Sequence, residues 1–235
     1  MEISKHDVID TYSKVLSAGN IDLQVFLNET RLYLKQKNSF IEYEFDYKQL
    51  IITEEKITYK TIEAKQIVFC EGYLISNNPL FNYIPLKPAK GEVLTIECKD
   101  LELIADILNK GIFILPIGNH QFKVGATYEW QQLNDIPTDE RKLELETKLQ
   151  AILHVPYTII KHEAGVRPAV IDRRPVIGNH PKHKNCFVFN GFGTKAVMLA
   201  PYFANQFYES FQLNKPMHPE VDCSRFDKFW NADKN

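Results

Sequence analysis

The chain has 235 residues, of which 44% are hydrophobic and 25% are charged, and its formal net charge is −2 at pH 7. This length and composition predict a globular protein with one large domain or two small ones. Lysine and arginine are spread through the chain, which argues against a nucleic-acid partner or an anionic membrane surface. No apolar run approaches the roughly 18 residues that span a bilayer, and charges occur throughout residues 1–20, so neither a membrane helix nor a signal peptide is predicted.

The four cysteines are widely scattered and form no C-x-x-C pair; they are Cys70, Cys98, Cys186 and Cys223. This spacing predicts neither a disulfide framework nor a zinc site. Reduced thiols in a cytoplasmic protein are therefore expected.

Helical periodicity covers residues 4–36 and predicts two short helices separated by Gly19-Asn20. Short β-branched and aromatic runs follow, starting with IEYEFDY, and predict a small antiparallel excursion that returns to a buried strand over residues 66–70. The Pro- and Asn-rich residues 77–88 are typical of a crossing between subdomains. Further strands are predicted from the runs GEVLTIEC, IFILPI and QFKVGATYEW.

The segment from Leu101 to Asn109 fits a helix and a strand equally well, because its apolar run is short. A helix is predicted from Thr138, with acidic residues in its first turn and Leu145 and Leu149 on one face.

The last third of the chain begins with a predicted strand, TIIKHEAGVRP, and the turn DRRPVIG. A strand over residues 186–189 and a long helix over residues 194–211 follow, with a kink expected at Pro201. The last 20 residues are polar and are expected to be peripheral.

The stretch GFGTKA, residues 191–196, matches G-x-G-x-x-[GA] between a predicted strand and a predicted helix. That is the context of a dinucleotide-binding loop, but a Rossmann unit also needs a second parallel strand with an acidic residue about 20 residues later. No strand is predicted there, which argues against an NAD-dependent enzyme. The pattern alone leaves two interpretations: a phosphate loop, or a helix entry where Gly191 and Gly193 permit tight packing and unusual backbone angles.

The neighbours of this stretch form an ordered series: GVRP, then D-x-x-P-x-I-G from Asp172, an apolar strand, the glycine loop, and a helix containing Ala200-Pro201. This series resembles the carboxyl-terminal segment of the D-amino acid oxidase family of FAD-dependent oxidoreductases, which includes glycine and sarcosine oxidases. Upstream, the helix from Asp22 and the stretches VFCEG, LKPAKGEVLTI and VGATYEW resemble further family elements in the same order. The resemblance covers roughly residues 20–212.

The resemblance implies an α+β fold in two interleaved parts. Residues 1–82 and 164–215 correspond to part of an FAD-binding domain, residues 83–163 to an antiparallel substrate-binding sheet with a helix, and residues 216–235 to a peripheral tail. Family members begin with a βαβ unit whose G-x-G-x-x-G loop holds the FAD pyrophosphate, whereas this chain resembles the middle of a family member from its first residues. Association with a partner is expected through the face that such a missing segment would leave uncovered.

Two functions are compatible with this resemblance. The first is oxidation of the C–N bond of a small amine or amino acid by hydride transfer to FAD. The second is a truncated, non-catalytic fragment or binding module that retains the fold without holding FAD.

The resemblance also implies a set of site residues. Arg167 of GVRP corresponds to the arginine that holds the substrate carboxylate, since a guanidinium binds a carboxylate in a bidentate way; the alternative is a structural ion pair with Asp172. The flavin-binding residues implied are Gly72, Gly191, Phe192, Gly193, Thr194, Lys195 and Ala196, where backbone amides and the helix dipole stabilise negative charge on the reduced ring. Cys70-Glu71 depart from the small residues usual in the family.

Two of the weaker candidates lie on predicted strands. Lys90 is interpreted as a solvated charge, which is the usual state of a strand lysine. His162 with Glu163 suggests acid–base chemistry, although an exposed strand pair is favoured.

The other weaker candidates lie in turns and loops. His180 and His183 form H-x-x-H in a proline-containing turn without a third ligand nearby, so no metal site is predicted. Tyr128 and Trp130 either line a substrate pocket or pack on the sheet, and packing is favoured.

Overall fold

A computed structural model describes residue 15 and residues 19–103 and 106–230. These residues form an α+β fold. The α-helices are α1 (Leu23–Gln36), α2 (Asp139–Gln150) and α3 (Ala196–Leu213). The strands are β1 (Leu50–Ile52), β2 (Ile57–Tyr59), β3 (Ile62–Ala64), β4 (Ile67–Phe69), β5 (Ala89–Glu97), β6 (Leu108–Asn109), β7 (Phe113–Gly118), β8 (Gln121–Gly125), β9 (Thr158–Arg167), β10 (Val176–Asn179) and β11 (Cys186–Asn190).

The larger sheet is antiparallel and has the strand order β6-β7-β8-β5-β9. Helix α2 is capped by Thr138, where the sequence predicts its start, and the Thr138 side chain accepts a hydrogen bond from the Arg141 N–H. The helix packs on one face of the sheet around a core that includes Leu94, Ile96, Ile114, Phe122, Val124, Leu145 and Leu149. Because side chains alternate along a strand, Gly91 and Val93 of β5 lie on the opposite face.

A second core lies around a small sheet with the order β10-β11-β4. Strands β4 and β11 are parallel, whereas β10 and β11 are antiparallel. Buried residues of this core include Phe69, Ile75, Phe81, Val176, Val188, Cys223 and Phe226. The predicted antiparallel excursion is confirmed as the sheet β1-β2-β3, which precedes β4.

The expectation of a peripheral carboxyl-terminal tail is wrong for residues 217–226. Met217, Val221, Cys223 and Phe226 are buried, and the Ile177 N–H of β10 donates to the Val221 carbonyl at 2.8 Å. Cys223 and Phe226 pack into the second core, and Met217 and Val221 pack against Ile177 of β10, so burial of these four side chains stabilises the segment on the fold. Residues 231–235 of the predicted tail lie outside the described residues.

One other local prediction is wrong. The run IEYEFDY forms no strand, and a short 3-10 helix, Tyr47–Gln49, begins at its last residue instead. In the ambiguous segment 101–109, the described residues contain only the short strand β6. The first predicted helix lies almost wholly outside the described residues, while the second corresponds to α1.

Helix α1 buries none of its residues, although it carries many apolar side chains. Each of the following is about half exposed: Leu23, Val25, Phe26, Leu27, Leu32 and Tyr33. In α3, Phe203 and Phe207 pack towards β11, whereas Met198, Tyr202 and Tyr208 are exposed. Among the described residues, no helix combines the length and apolarity that crossing a bilayer would require.

Candidate functional site

The parallel strands β4 and β11 bring two glycine turns together. The carboxyl ends of parallel strands meet at the same edge of a sheet, which is where open α/β sheets bind ligands. Gly72 follows β4 and Gly191 follows β11, and the side chain of Asn190 joins them. Its Nδ2 donates to the Gly72 carbonyl at 2.9 Å, and its Oδ1 accepts from the Gly191 N–H at 2.7 Å.

The glycines at this edge are needed for two different reasons. Gly72, Gly191 and Gly193 have φ angles of +61°, +79° and +54°, which favour glycine. A Cβ at Gly191 would lie 2.6 Å from the Val170 side chain, so this glycine serves tight packing. A Cβ at Gly72 would meet nothing within 4 Å, so its backbone faces open space. The tight-packing interpretation therefore fits Gly191, and an open backbone for a ligand fits Gly72.

The rest of the predicted loop forms a 3-10 turn, Gly193–Lys195, that leads into α3 at Ala196. The Gly193 N–H donates to the Pro168 carbonyl at 3.2 Å, which ties the loop to GVRP. Thr194 and Lys195 are exposed, and no side chain caps the start of α3. The first N–H groups of α3 are thus free of a capping side chain, which suits an electron-rich ligand.

The ring of Phe192 lies against the rings of Phe189 and Phe203, with centroid distances of 4.8 and 6.4 Å. This residue therefore contributes its side chain to the aromatic packing under α3. Only its backbone is part of the glycine turn.

Arg167, the last residue of β9, packs across the neighbouring strand. Its guanidinium lies directly over Gly91 of β5, where any Cβ would collide with it. Its Nη1 donates to the Thr127 carbonyl at 3.2 Å, and its Cζ lies 4.4 Å from the centre of the Tyr128 ring. Burial lowers the pKa of this guanidinium from its ordinary value.

The structural ion pair considered for Arg167 is not formed. Asp172 instead pairs with Arg225, at 2.9 Å between Oδ2 and Nε. Within the described part of the chain, no carboxylate lies in ion-pair range of the Arg167 guanidinium. A half-buried guanidinium held by one carbonyl and one ring is left with a cationic surface that suits an anionic ligand.

Arg167 and Gly193, both candidates from the sequence, line one cavity of about 470 Å³. Gly91 and Gly165, which are opposite each other in the β5–β9 pairing, form part of its lining. Phe113 and Leu115 of β7 contribute an apolar wall, and Lys123 and Glu163 contribute charges farther along the strands. The cavity thus joins a cationic end to a glycine-lined space beside the loop that opens α3.

Sequence reasoning assigned no site role to Gly91, Gly165 or Thr127, although all three lie in stretches that carry the family resemblance. Gly91 and Gly165 lie within strands, where glycine often marks a close approach of another group. The carbonyl of Thr127 carries no sequence signal, because its role depends on where the backbone lies.

The face of the large sheet opposite the cavity holds a buried polar cluster. Lys90, interpreted as solvated, is only 1% exposed, and its Nζ lies 3.3 Å from Glu92 Oε1. The same Nζ donates to Asn134 Oδ1 at 3.1 Å and to the Ile136 carbonyl. The two charges pair with each other beneath loop 131–138, which shields them from solvent, so the interpretation of Lys90 as solvated is wrong.

His162 belongs to this cluster and forms no pair with Glu163. Its Nε2 lies 2.8 Å from Glu92 Oε2, which also accepts from the Thr138 N–H at 2.9 Å. Glu163 faces the cavity instead, because consecutive strand residues point to opposite faces. The favoured exposed pair is therefore wrong for His162.

Tyr128 and Trp130 are exposed by 51% and 56%, and their rings stack at 6.2 Å. The favoured role in sheet packing is wrong, because both rings project from the loop after β8. Tyr128 is the ring beside Arg167, so it lies near the cavity.

The H-x-x-H turn has a structural explanation. His180 is buried, and its Nδ1 accepts from the backbone N–H groups of Lys182 and His183 at 3.2 and 3.1 Å. Burial, with a smaller contribution from His183, lowers the pKa of His180 to about 4. Within residues 19–103 and 106–230, no group of three or more potential ligands could hold a metal ion.

Glu71, which departs from the small residues expected before Gly72, directs its carboxylate inwards. The carboxylate accepts from the Tyr47 hydroxyl and from Asn78 Nδ2, the latter at 2.8 Å. Burial and this hydrogen bond raise the pKa of Tyr47. The glutamate side chain is therefore committed to partners within the fold.

Solved structures of other proteins share this α+β fold. Iminodiacetate oxidase from Chelativorans sp. BNC1 has a similar structure, with a TM-score of 0.70 and 18% identity over 86% of this chain and 57% of that one. L-Proline dehydrogenase from P. horikoshii is equally similar, with a TM-score of 0.70 and 19% identity over 86% of this chain and 60% of that one.

The family follows from the sequence match. The model of the DAO family, FAD dependent oxidoreductase, matches residues 41–209, and the chain belongs to this family. Glycine oxidase of Pseudomonas putida is 29% identical over 122 residues, which are 50% of this chain and 33% of that protein. The chain thus spans about a third of the length of the glycine oxidase it matches.

Proposed function

We propose that the protein is an FAD-dependent oxidoreductase that oxidises the C–N bond of an amino-acid-like amine. The observation that supports this proposal most directly is that the guanidinium of Arg167 and Gly193, in the loop that follows β11, line the same cavity. Family membership supports flavin as the cofactor. When bound, FAD would accept the hydride from the carbon that bears the nitrogen.

The residues at this edge fit the flat ring of a flavin. Gly72 faces open space without a side chain, and Gly193 lies in the cavity lining. The start of α3 adds the positive end of a helix dipole, which would stabilise negative charge on a reduced ring. Gly72 and residues 191–196 are the groups that would hold this part of the cofactor.

Arg167 would bind the carboxylate of the substrate and so fix the position of the carbon to be oxidised. Its fork geometry suits bidentate binding, and Thr127 and Tyr128 already restrict its orientation. Gly165 has open space at its α-carbon, which leaves room for the substrate backbone, whereas Gly91 makes room for the Arg167 guanidinium itself. Positioning of this kind is a large part of the protein's contribution in cofactor enzymes.

Glycine oxidase, iminodiacetate oxidase and L-proline dehydrogenase are named for amines that carry a carboxylate. That shared feature agrees with the proposed role of Arg167. The substrate class proposed here is therefore a small α-amino or N-substituted amino acid.

A second candidate is a binding module that keeps the fold without holding FAD. The observation that favours it is the exposed apolar surface of α1 and of the outer side of α3. Exposed apolar patches of this kind are typical of association sites. We propose this surface as the face through which the chain would meet a partner.

One experiment separates the two candidates. The purified protein is scanned for the flavin bands at about 370 and 450 nm, then titrated with FAD while flavin fluorescence is followed. Glycine, sarcosine, iminodiacetate and proline are next added under anaerobic conditions to the FAD-loaded protein. Bleaching of the long-wavelength band supports the oxidoreductase, whereas a protein that binds no FAD would support the binding module.

A further inference from the structure

Asn190 is almost completely buried, with 3% of its surface exposed, and both ends of its amide are used. The ladder between β4 and β11 ends at the pair Phe69 and Val188. Beyond that pair, the Asn190 side chain continues the connection by bonding to Gly72 and Gly191. It therefore links the two turns after their strands have ended.

We propose that Asn190 is a positioning residue for the flavin: it holds the Gly72 turn and the Gly191–Gly193 turn in the relative position that the ring requires. The inference rests on the proposed function, because it concerns the same cofactor. It does not require Asn190 to touch the flavin.

The chemistry of the side chain explains why an amide is present. The Gly72 carbonyl needs a donor and the Gly191 N–H needs an acceptor, and asparagine supplies both from one planar group. Aspartate has almost the same shape but offers only acceptors when ionised, so it would face the Gly72 carbonyl without a proton to donate. Alanine would leave both backbone groups without this partner, and an unsatisfied buried polar group is costly.

The two turns differ in how firmly packing against neighbouring side chains holds their backbones in place. Gly191 is fixed by Val170 and Val176, which a Cβ would contact at 2.6 and 3.2 Å. Gly72 has open space on its α-carbon and therefore no packing contact that would hold it on that side. The Asn190 amide therefore holds the Gly72 turn in place relative to the Gly191 turn, which packing already fixes.

The test compares Asn190→Asp and Asn190→Ala with a matched control, Asn78→Ala. Asn78 is fully buried and also makes two side-chain hydrogen bonds, to Glu71 Oε2 and from the Leu80 N–H, each 2.8 Å long. It contacts neither Gly72 nor Gly191 through those bonds. Three quantities are measured: the FAD dissociation constant, the thermal midpoint, and hydrogen–deuterium exchange of residues 70–74 and 190–196 without FAD.

Both Asn190 variants should weaken FAD binding by about tenfold or more, the factor that corresponds to the loss of one buried hydrogen bond. Exchange should rise in both turns together. Asn78→Ala should lower the thermal midpoint by a comparable amount while FAD affinity stays close to that of the wild type. Aspartate has nearly the same volume as asparagine, so Asn190→Asp leaves no cavity and can still be measured if Asn190→Ala does not fold.

The inference is overturned if the Asn190 variants bind FAD as tightly as the wild type, or no more weakly than Asn78→Ala. Faster exchange at residues 190–196 alone would also overturn it, because the two turns would then not be coupled. A wild-type protein that binds no FAD refutes the proposed function and the flavin role of Asn190, and the exchange data then report only whether the amide couples the turns.

Discussion

The guanidinium of Arg167 on β9 occupies the space that a side chain at residue 91 on β5 would need. The observed position of the arginine therefore requires glycine at residue 91. The two strands are neighbours, and the arginine reaches across the pairing to lie over the α-carbon of Gly91. This contact places the charged group in the cavity and leaves its outer edge available to a ligand.

Substitution Gly91→Ala should destabilise the protein and displace Arg167. Overpacking of this kind typically costs about 1–3 kcal/mol in free energy of unfolding. The matched control is Gly165→Ala on the paired strand, where a Cβ meets nothing within 4 Å. Urea unfolding of the two variants measures the difference, and equal stabilities would show that the guanidinium moves aside without cost.

Substitution Arg167→Met should raise KM for a carboxylate-bearing amine by about 10- to 150-fold, as expected for the loss of a charged hydrogen bond worth about 1.5–3 kcal/mol. Arg167→Lys should restore only part of the affinity, because an ammonium lacks the bidentate fork. The same amine without its carboxylate provides the control, and its KM should be insensitive to both changes. A uniform loss with both substrates would instead indicate a structural role for the arginine.

Removal of one member of the buried pair between Lys90 and Glu92 should be strongly destabilising. Lys90→Met leaves the carboxylate of Glu92 without its cation, a situation that costs about 3–5 kcal/mol when the charge is buried. Lys123→Met is the control, because the Lys123–Glu163 pair is 3.9 Å long and both side chains are well exposed. Chemical unfolding at neutral pH should show a large loss for the first variant and little change for the second.

Stability should fall as the pH is lowered through the window from about 6.5 to about 4. The pKa of His180 is lowered from 6.5 to about 4 in the folded protein, chiefly by burial. The unfolded chain therefore binds this proton first as the pH falls, which favours unfolding until the folded form is also protonated. His180→Asn retains an acceptor for the backbone N–H groups of Lys182 and His183 and removes the titration. Its free energy of unfolding should vary less with pH in this window; an unchanged slope would assign the effect to other groups.

The sequence predicted those parts of the fold and site that depend on local pattern. The helix from Thr138 followed from its cap and its periodic leucines, and GVRP and GFGTKA were found because the family resemblance identifies them as an ordered series. The environment of Arg167 could not be predicted, because Gly91 and Thr127 lie far away in sequence and only the strand order brings them together. Lys90 is a similar case: its burial depends on loop 131–138, which covers it with oxygen acceptors that composition does not reveal.

The hydrogen bond between Asn190 and Gly72 joins residues that are 118 positions apart in the chain. All strands of the larger antiparallel sheet lie between these two residues in the sequence. The length and the folding of this intervening chain therefore determine how often the two turns meet during folding. Closing so long a loop costs entropy that only later contacts repay, which makes such pairings late events. Changes in the antiparallel sheet can therefore alter how fast the two glycine turns come together without touching either of them.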